Sequence, residues 1–242
     1  MDPRCYVFFD VDDTLVEWTV SWRESFATAA REVGVEVGAE QAWRAVERAF
    51  GTYYNDCLAE HAASGDEAAF WRDYDGRILS DLGVPPQSVP QAAERVIGLL
   101  KRPEAIRLYD EVPEVLKELS DGGLRLGIVT GRPKAEPDLH LLGVRSYFDP
   151  LIDAFSVGSS KSVGRMFHVA AAVAAEAGLP AWHVGDNYDD DILGAQAAGM
   201  KAVLIERKGR AGGVGQERKL LPCRSISDLR DLIPIVLNGE VE

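Results

Sequence analysis

Cysteine, histidine and positive charge are all scarce in this chain of 242 residues. Cys5, Cys57 and Cys223 are odd in number, far apart and without C-x-x-C spacing. That speaks against a disulfide framework and for reduced thiols in a cytoplasmic compartment, with Cys5 inert inside a strand. His61, His140, His168 and His183 share no metal-ligand spacing. The 26 Lys and Arg against 39 Asp and Glu leave a formal charge of −13. There is no basic stripe for a nucleic-acid backbone, and an anionic membrane surface is equally disfavoured. A small anionic substrate stays compatible with that charge if a bound cation offsets the local acids. No apolar run is long enough for a bilayer, since the Ala-rich stretch 169–177 is short and interrupted. The first strand-like run starts within a few residues of Met1, so no signal peptide is expected before it. The chain also lacks an N-x-[ST] sequon, an internal repeat and any low-complexity tract.

What is present is ordinary globular composition, 46% hydrophobic and 27% charged, with chemistry at the ends of its apolar runs. Tyr6-Val7-Phe8-Phe9 stops at Asp10-Val11-Asp12-Asp13-Thr14. Leu124 to Val129 stops at Thr130, and Trp182-His183-Val184 at Gly185-Asp186. Each run reads as a buried strand of a parallel sheet. Ligands of open α/β sheets bind beyond the carboxyl ends of the strands. Three strands therefore aim Asp10, Asp12, Thr130 and Asp186 at one crevice.

Between the first and second of these strands the pattern changes to helical spacing. Residues 18–109 read as four amphipathic stripes: Trp22 to Val33, Trp43 to Cys57, Phe70 to Leu82, and Val89 to Leu100. Their aromatics read as the core of a helical bundle. From Pro113 helices and strands alternate: a helix over 113–120, the strand ending at Thr130, a helix near 135–142 and a strand near 151–156. A helix from about 162 to 177, the strand 182–184, a helix around 189–198, the strand Lys201–Ile205 and a helix near 226–237 follow. That alternation implies right-handed crossovers and a parallel sheet. Residues 207–219, rich in glycine and charge, read as an exposed loop. A helical insert placed directly after the first strand emerges at the catalytic edge, where it can serve as a lid.

Asp10, Asp12 and Asp186 converge, with Asp191 one helical turn further on. Two like charges about 4 Å apart repel by roughly 4 kcal/mol at an effective dielectric near 20. Without a cation some of these acids would be driven to protonate. A hard divalent ion resolves the conflict, and Mg²⁺ is the usual choice when a phosphate supplies further oxygens. Asp10 is then placed to attack phosphorus, and Asp12 to act as general acid and later as general base. Thr130, Gly131 and Lys161 are the candidates to hold the phosphoryl oxygens.

Asp10-x-Asp12-x-Thr14, Thr130, Lys161 and Gly185-Asp186-x-x-x-x-Asp191, in that order, resemble the four motifs of the haloacid dehalogenase superfamily, and the insert resembles the cap of its first subfamily. The resemblance implies a Rossmann-like α/β core with an all-helical cap after the first strand, residues 1–16 and 110–242 forming the core and 17–109 the cap. It implies Asp10 as nucleophile and Asp12 as acid and base. It also implies Mg²⁺ held by Asp10, the Asp12 carbonyl and Asp186, with Asp191 in the outer shell. Lys161 would touch both nucleophile and phosphate. Family dehalogenases lack an acid at the position of Asp12, because a departing halide needs no proton; Asp12 therefore favours a phosphatase of a small phosphorylated metabolite. A sugar phosphomutase uses the same residues and is the alternative, and a non-catalytic binding or regulatory member is the other. The chain departs from the family pattern at Asp13, Gly131 and Ser162, where Gly, Asn or Ser, and Pro are usual.

Other features carry less. Asp13, Asp189 and Asp190 read as helix-dipole partners. Residues 186–194 fail as a calcium loop because Tyr188 stands where an oxygen ligand is required. Gly158 to Ser162 fails as a P-loop because Ser160 precedes the lysine, and the 209–218 glycines do not fit a dinucleotide fingerprint. His183 reads as a core residue; Arg132, just past Thr130, could reach a substrate oxygen, but solvated surface is the preferred reading. Trp18, Trp22 and Arg23 open the insert and are candidates to touch a leaving group.

Overall fold

The computed structural model describes residues 4–207 and 223–237. Among the described residues six strands form one parallel sheet: β1 (Tyr6–Phe9), β4 (Arg125–Val129), β5 (Phe148–Ile152), β6 (Ala181–Gly185), β7 (Lys201–Ile205) and β8 (Arg224–Ile226). Two short strands, β2 (Val16–Trp18) and β3 (Ile106–Leu108), pair with each other. The large sheet runs β5-β4-β1-β6-β7-β8. All four residues of β1 are buried, as expected for a central parallel strand covered on both faces. Phe9 stands level with Ile128 on one side and Val184 on the other. Asp10, Thr130 and Asp186 therefore leave three adjacent strands at their carboxyl ends. The order also reverses at β1, with β4 and β5 to one side and β6, β7 and β8 to the other. That reversal is where open α/β sheets hold ligands.

The chain divides into two compact units, Trp18–Arg107 and the segments on either side of it. The first holds the helices Trp22–Glu32, Ala39–Thr52, Tyr54–His61, Glu67–Asp81 and Val89–Leu100. Ser21 caps the first of them, accepting from Glu24 N at 3.3 Å. Tyr54, Phe70 and Tyr74 are buried together, with ring centroids 5.3 to 5.8 Å apart. Trp18, Trp22 and Trp71 form an edge-to-face series beside them. Most of the aromatic stripes are bundle core, although Phe50 is 53% exposed. The other unit places the helices Val112–Asp121 and Arg165–Glu176 with their apolar faces buried, Phe167 meeting the His183 ring at 4.9 Å.

Several sequence expectations are corrected here. The segment 18–109 is not helical throughout, since β2 reaches Trp18 at its start and β3 interrupts the helical run before residue 109. The stripe from Trp43 to Cys57 is two helices parted at Tyr53, just after the weak helix formers Gly51 and Thr52. The strand expected near 151–156 lies at Phe148–Ile152. It is an edge strand and so tolerates Pro150. Asp153 and Ser156 form a capping box that turns Ala154–Val157 into a helical turn. The last helix is only Leu232–Leu237: β8 ends at Ile226, where the expected helix starts, and a 3-10 turn over Leu229–Asp231 precedes the helix. Asp13 is in a tight turn at φ 57°, not at a helix start, a conformation that Asp tolerates better than most side chains. Apart from Arg207, the 207–219 loop lies outside the described residues. Among the described residues no helix is long and apolar enough to cross a membrane.

Candidate active site

Asp10 follows β1 directly and is 4% exposed, its backbone N–H donating to the Val184 carbonyl at 2.9 Å. Val11 is fully buried, so the alternation of the chain sends Asp10 and Asp12 to the opposite side from it. Leu15 and Val16 both donate back to the Val11 carbonyl, at 3.0 and 2.9 Å, which closes the turn.

Lys161 begins the short 3-10 turn Lys161–Val163 and is almost wholly buried. Its Nζ donates to Asp10 Oδ1 and, at 2.6 Å, to Asp191 Oδ1. Asp191 has no exposure at all. Its Oδ1 also accepts from His183 Nε2 at 2.8 Å, and its Oδ2 from the Asn187 backbone N–H at 3.1 Å. Asn187 caps the turn that carries Asp191, its Oδ1 accepting from the N–H groups of Asp189 and Asp190. Asp189 and Asp190 thus sit in a first turn, as expected of dipole partners. Carboxylate oxygens of Asp10, Asp186 and Asp191 come within 4.8 Å of one another.

The electrostatics follow from crowding. Burial, then the neighbouring acids, push the Asp10 carboxyl up to about 7 although Lys161 pulls it down. Burial, Asp10 and Asp191 push Asp186 up to about 8. Asp191 goes the other way: burial would raise it, but Lys161 and His183 outweigh burial and hold it below the usual carboxylate range. Burial lowers His183, which therefore donates as a neutral ring. Lys161 is disfavoured by burial yet held charged by Asp10 and Asp191. Two acids at the strand ends are left without enough positive charge, which is the condition a hard divalent cation relieves. The donor set, carboxylate oxygens in a polar cradle, fits such an ion.

Arg132 is the main correction to the site. It is 8% exposed rather than solvated. Its Nε and Nη2 grip the two Asp12 oxygens at 2.9 and 2.6 Å, and its Nη1 bonds to Asp138. The Thr130 Oγ1 accepts from the Arg132 backbone N–H at 3.3 Å. Thr130 is fully buried, and the space where a Gly131 side chain would stand is open. Asp10, Lys161, Asp186 and Asp191 thus share one cluster, while Asp12 faces the guanidinium. His183 is core as expected, yet it also holds Asp191. Cys5 sits one residue before β1, with burial pushing its thiol up to about 11.

A family model described as haloacid dehalogenase-like hydrolase matches residues 6–199. The chain belongs to this family. The family member named haloacid dehalogenase-like hydrolase domain-containing protein 3, from Homo sapiens, is 31% identical over 206 residues, 81% of this chain and 80% of that protein. A glyceraldehyde 3-phosphate phosphatase of Methanopyrus kandleri is 29% identical, covering 83% of both chains. Among solved structures, a 2-haloacid dehalogenase from Pseudomonas syringae superposes with a TM-score of 0.63 at 26% identity, covering all of both chains. The Rossmann-like core of this haloacid dehalogenase-like hydrolase is therefore the family fold.

Gly185, the glycine of the last motif, has a steric reason to be there. A Cβ at this position would fall on the Asp191 carboxylate. Gly185→Ala is expected to displace Asp191, loosen Lys161 and cost about 1–3 kcal/mol of stability together with most of the activity. Gly98→Ala, on an open helix face, is expected to raise stability by about 0.5–1 kcal/mol. Thermal melts and turnover of the two variants check this, and a Gly185→Ala protein with normal turnover would refute the steric reading.

Proposed function

We propose that this chain is a cytoplasmic, Mg²⁺-dependent phosphatase that hydrolyses a small phosphomonoester through an aspartyl-phosphate on Asp10. The observation that carries the reading is the buried Asp10, set among Asp186 and Asp191 and held by Lys161. The acid at Asp12 turns it toward phosphate esters, because an alkoxide needs a proton on departure and a halide does not. The Methanopyrus relative, named a glyceraldehyde 3-phosphate phosphatase, supports the same direction. Residues 1–16 with 110–242 are assigned as the catalytic core, and 17–109 as a cap that restricts substrates to small ones.

In this reading an Asp10 carboxylate oxygen attacks phosphorus in line, and the bond to the substrate alcohol breaks. Asp12 hands its proton to the departing oxygen. It then takes a proton from the water that attacks the phosphorus, the bond to Asp10 breaks, and inorganic phosphate leaves. Thr130, the Gly131 backbone and Lys161 bind the phosphoryl oxygens, where hydrogen bonds tighten as charge develops. Asp191, its carboxylate already engaged by Lys161, His183 and Asn187, orients Lys161 and would be an outer-shell partner of the ion. Asp10, Asp186 and the Asp12 carbonyl would hold Mg²⁺, which offsets charge at the nucleophile and polarises a phosphoryl oxygen.

The test is phosphate release from a panel of esters: glyceraldehyde 3-phosphate, phosphoglycolate, glycerol 3-phosphate, a hexose phosphate, a nucleoside monophosphate and p-nitrophenyl phosphate. Release is expected with Mg²⁺ and not with EDTA. Isomerisation of the hexose phosphate without release would favour a mutase. Folded protein inert on every ester would overturn the phosphatase reading.

A further inference from the structure

We infer that Arg132 is a positioning residue for the leaving group's proton: a fixed fork that holds the Asp12 carboxylate where it meets the departing alcohol. The inference rests on the phosphatase reading above and adds a residue to which none of the four motifs assigns a role. Three observations support it. Arg132 contacts both Asp12 oxygens from two different nitrogens, a two-point hold that fixes the plane of the carboxylate as well as its place. The Asp12 side chain is 37% exposed while Arg132 is 8% exposed, so the guanidinium is the anchored partner and the carboxylate the one presented to the crevice. The third guanidinium nitrogen is tied to Asp138 in the helix Glu136–Leu141, and the Arg132 backbone N–H to Thr130 Oγ1. The fork is thus built into the crossover that follows β4. A lysine at this position would supply charge without the fork.

The chemistry offers a readout specific to this role. An alkyl ester needs proton delivery to its leaving oxygen, whereas p-nitrophenolate leaves without it. The quantity kcat/KM covers the steps up to departure of the alcohol, and so excludes the later attack of water that both esters share. Loss of Arg132 as mere charge or scaffold lowers kcat/KM for both esters alike. Loss of it as a positioner lowers the alkyl ester selectively.

The experiment compares wild type, Arg132→Lys, Arg132→Met and Asp138→Asn on p-nitrophenyl phosphate and on the alkyl ester that the panel ranks first. Arg132→Lys and Arg132→Met are expected to lose about 30-fold or more on the alkyl ester, a part of the roughly 10²–10⁴-fold that general acid catalysis supplies, and about threefold on the aryl ester. Asp138→Asn, which leaves Arg132 in place but frees one end of it, is expected to show the same selectivity more weakly. It serves as the arm that folds if the Arg132 variants do not. Equal losses on the two esters, or full activity in Arg132→Lys, would overturn the inference. Wild-type protein that releases phosphate from neither ester would overturn the phosphatase reading itself and the inference with it.

Discussion

Asp10→Asn is expected to lower turnover by about a thousandfold or more, because an amide oxygen is a poor nucleophile toward phosphorus and the covalent route is closed. The same variant is expected to change stability in the opposite sense. In the metal-free wild type Asp10 and Asp186 are raised to about 7 and about 8, whereas in the unfolded chain both titrate near the usual carboxylate value of about 3.9. Between about pH 4 and pH 8 the folded chain therefore holds protons that the unfolded chain has released, and stability falls as pH rises through that window. Asp10→Asn removes one of the two groups responsible. Its melting temperature without metal is expected to decline less steeply from pH 5 to pH 8 than that of wild type. Added Mg²⁺ is expected to stabilise wild type most at pH 8, where the acids are charged, and the variant less. Asp13→Asn, in the turn behind the site, is expected to retain turnover. An active Asp10→Asn protein would overturn the nucleophile assignment, and a wild-type melting curve indifferent to pH and Mg²⁺ would overturn the electrostatic account.

Lys161→Ala is expected to act on both quantities in the same direction. The ammonium is the cation in contact with Asp10 and Asp191 at the centre of the acid cluster. Removing one partner of a buried ion pair costs about 3–5 kcal/mol, since the charges left behind are neither hydrated nor paired. Loss of the contact proposed for it with the phosphoryl oxygens is expected to lower turnover by about a hundredfold to a thousandfold. The two variants thus separate by their melts: Asp10→Asn inactive and no less stable at pH 8, Lys161→Ala inactive and less stable. A Lys161→Ala protein that is stable and turns over at more than a tenth of the wild-type rate would show that another group supplies the cation.

The parts of this site written locally were the parts legible in the sequence. A buried apolar run followed at once by an acid or a hydroxyl needs no partner to be recognised, and β1, β4 and β6 with Asp10, Thr130 and Asp186 were visible for that reason. Lys161 was reached through its place in the order of motifs, and the fold puts it on Asp10. The burial of Arg132 and its hold on Asp12 are not visible: an arginine three residues past a strand is usually solvated, and its burial is decided by Asp12 and Asp138, which lie 120 and six residues away. The contact of His183 with Asp191 is a similar case, since a histidine inside a strand gives no sign of what its ring nitrogen meets. β2, β3 and β8 are three residues each, too short to display a period. The error at β5 came from Asp153 and Ser156, whose capping box ends the strand side of an apolar stretch that reads through it.

The position of β1 in the sheet has a consequence for how the chain is made. Its partners, β4 and β6, begin at Arg125 and Ala181, more than a hundred residues after the strand itself. During synthesis the four buried residues of β1 emerge before both of their neighbours and must wait for them, and late non-local pairing is intrinsically slow and exposed to aggregation. The helices between Trp22 and Leu100 need only one another and can fold as soon as they are complete. The helical insert can thus fold before the sheet around it is complete, and the strand that leads to Asp10 is sealed in only after β6 has been made.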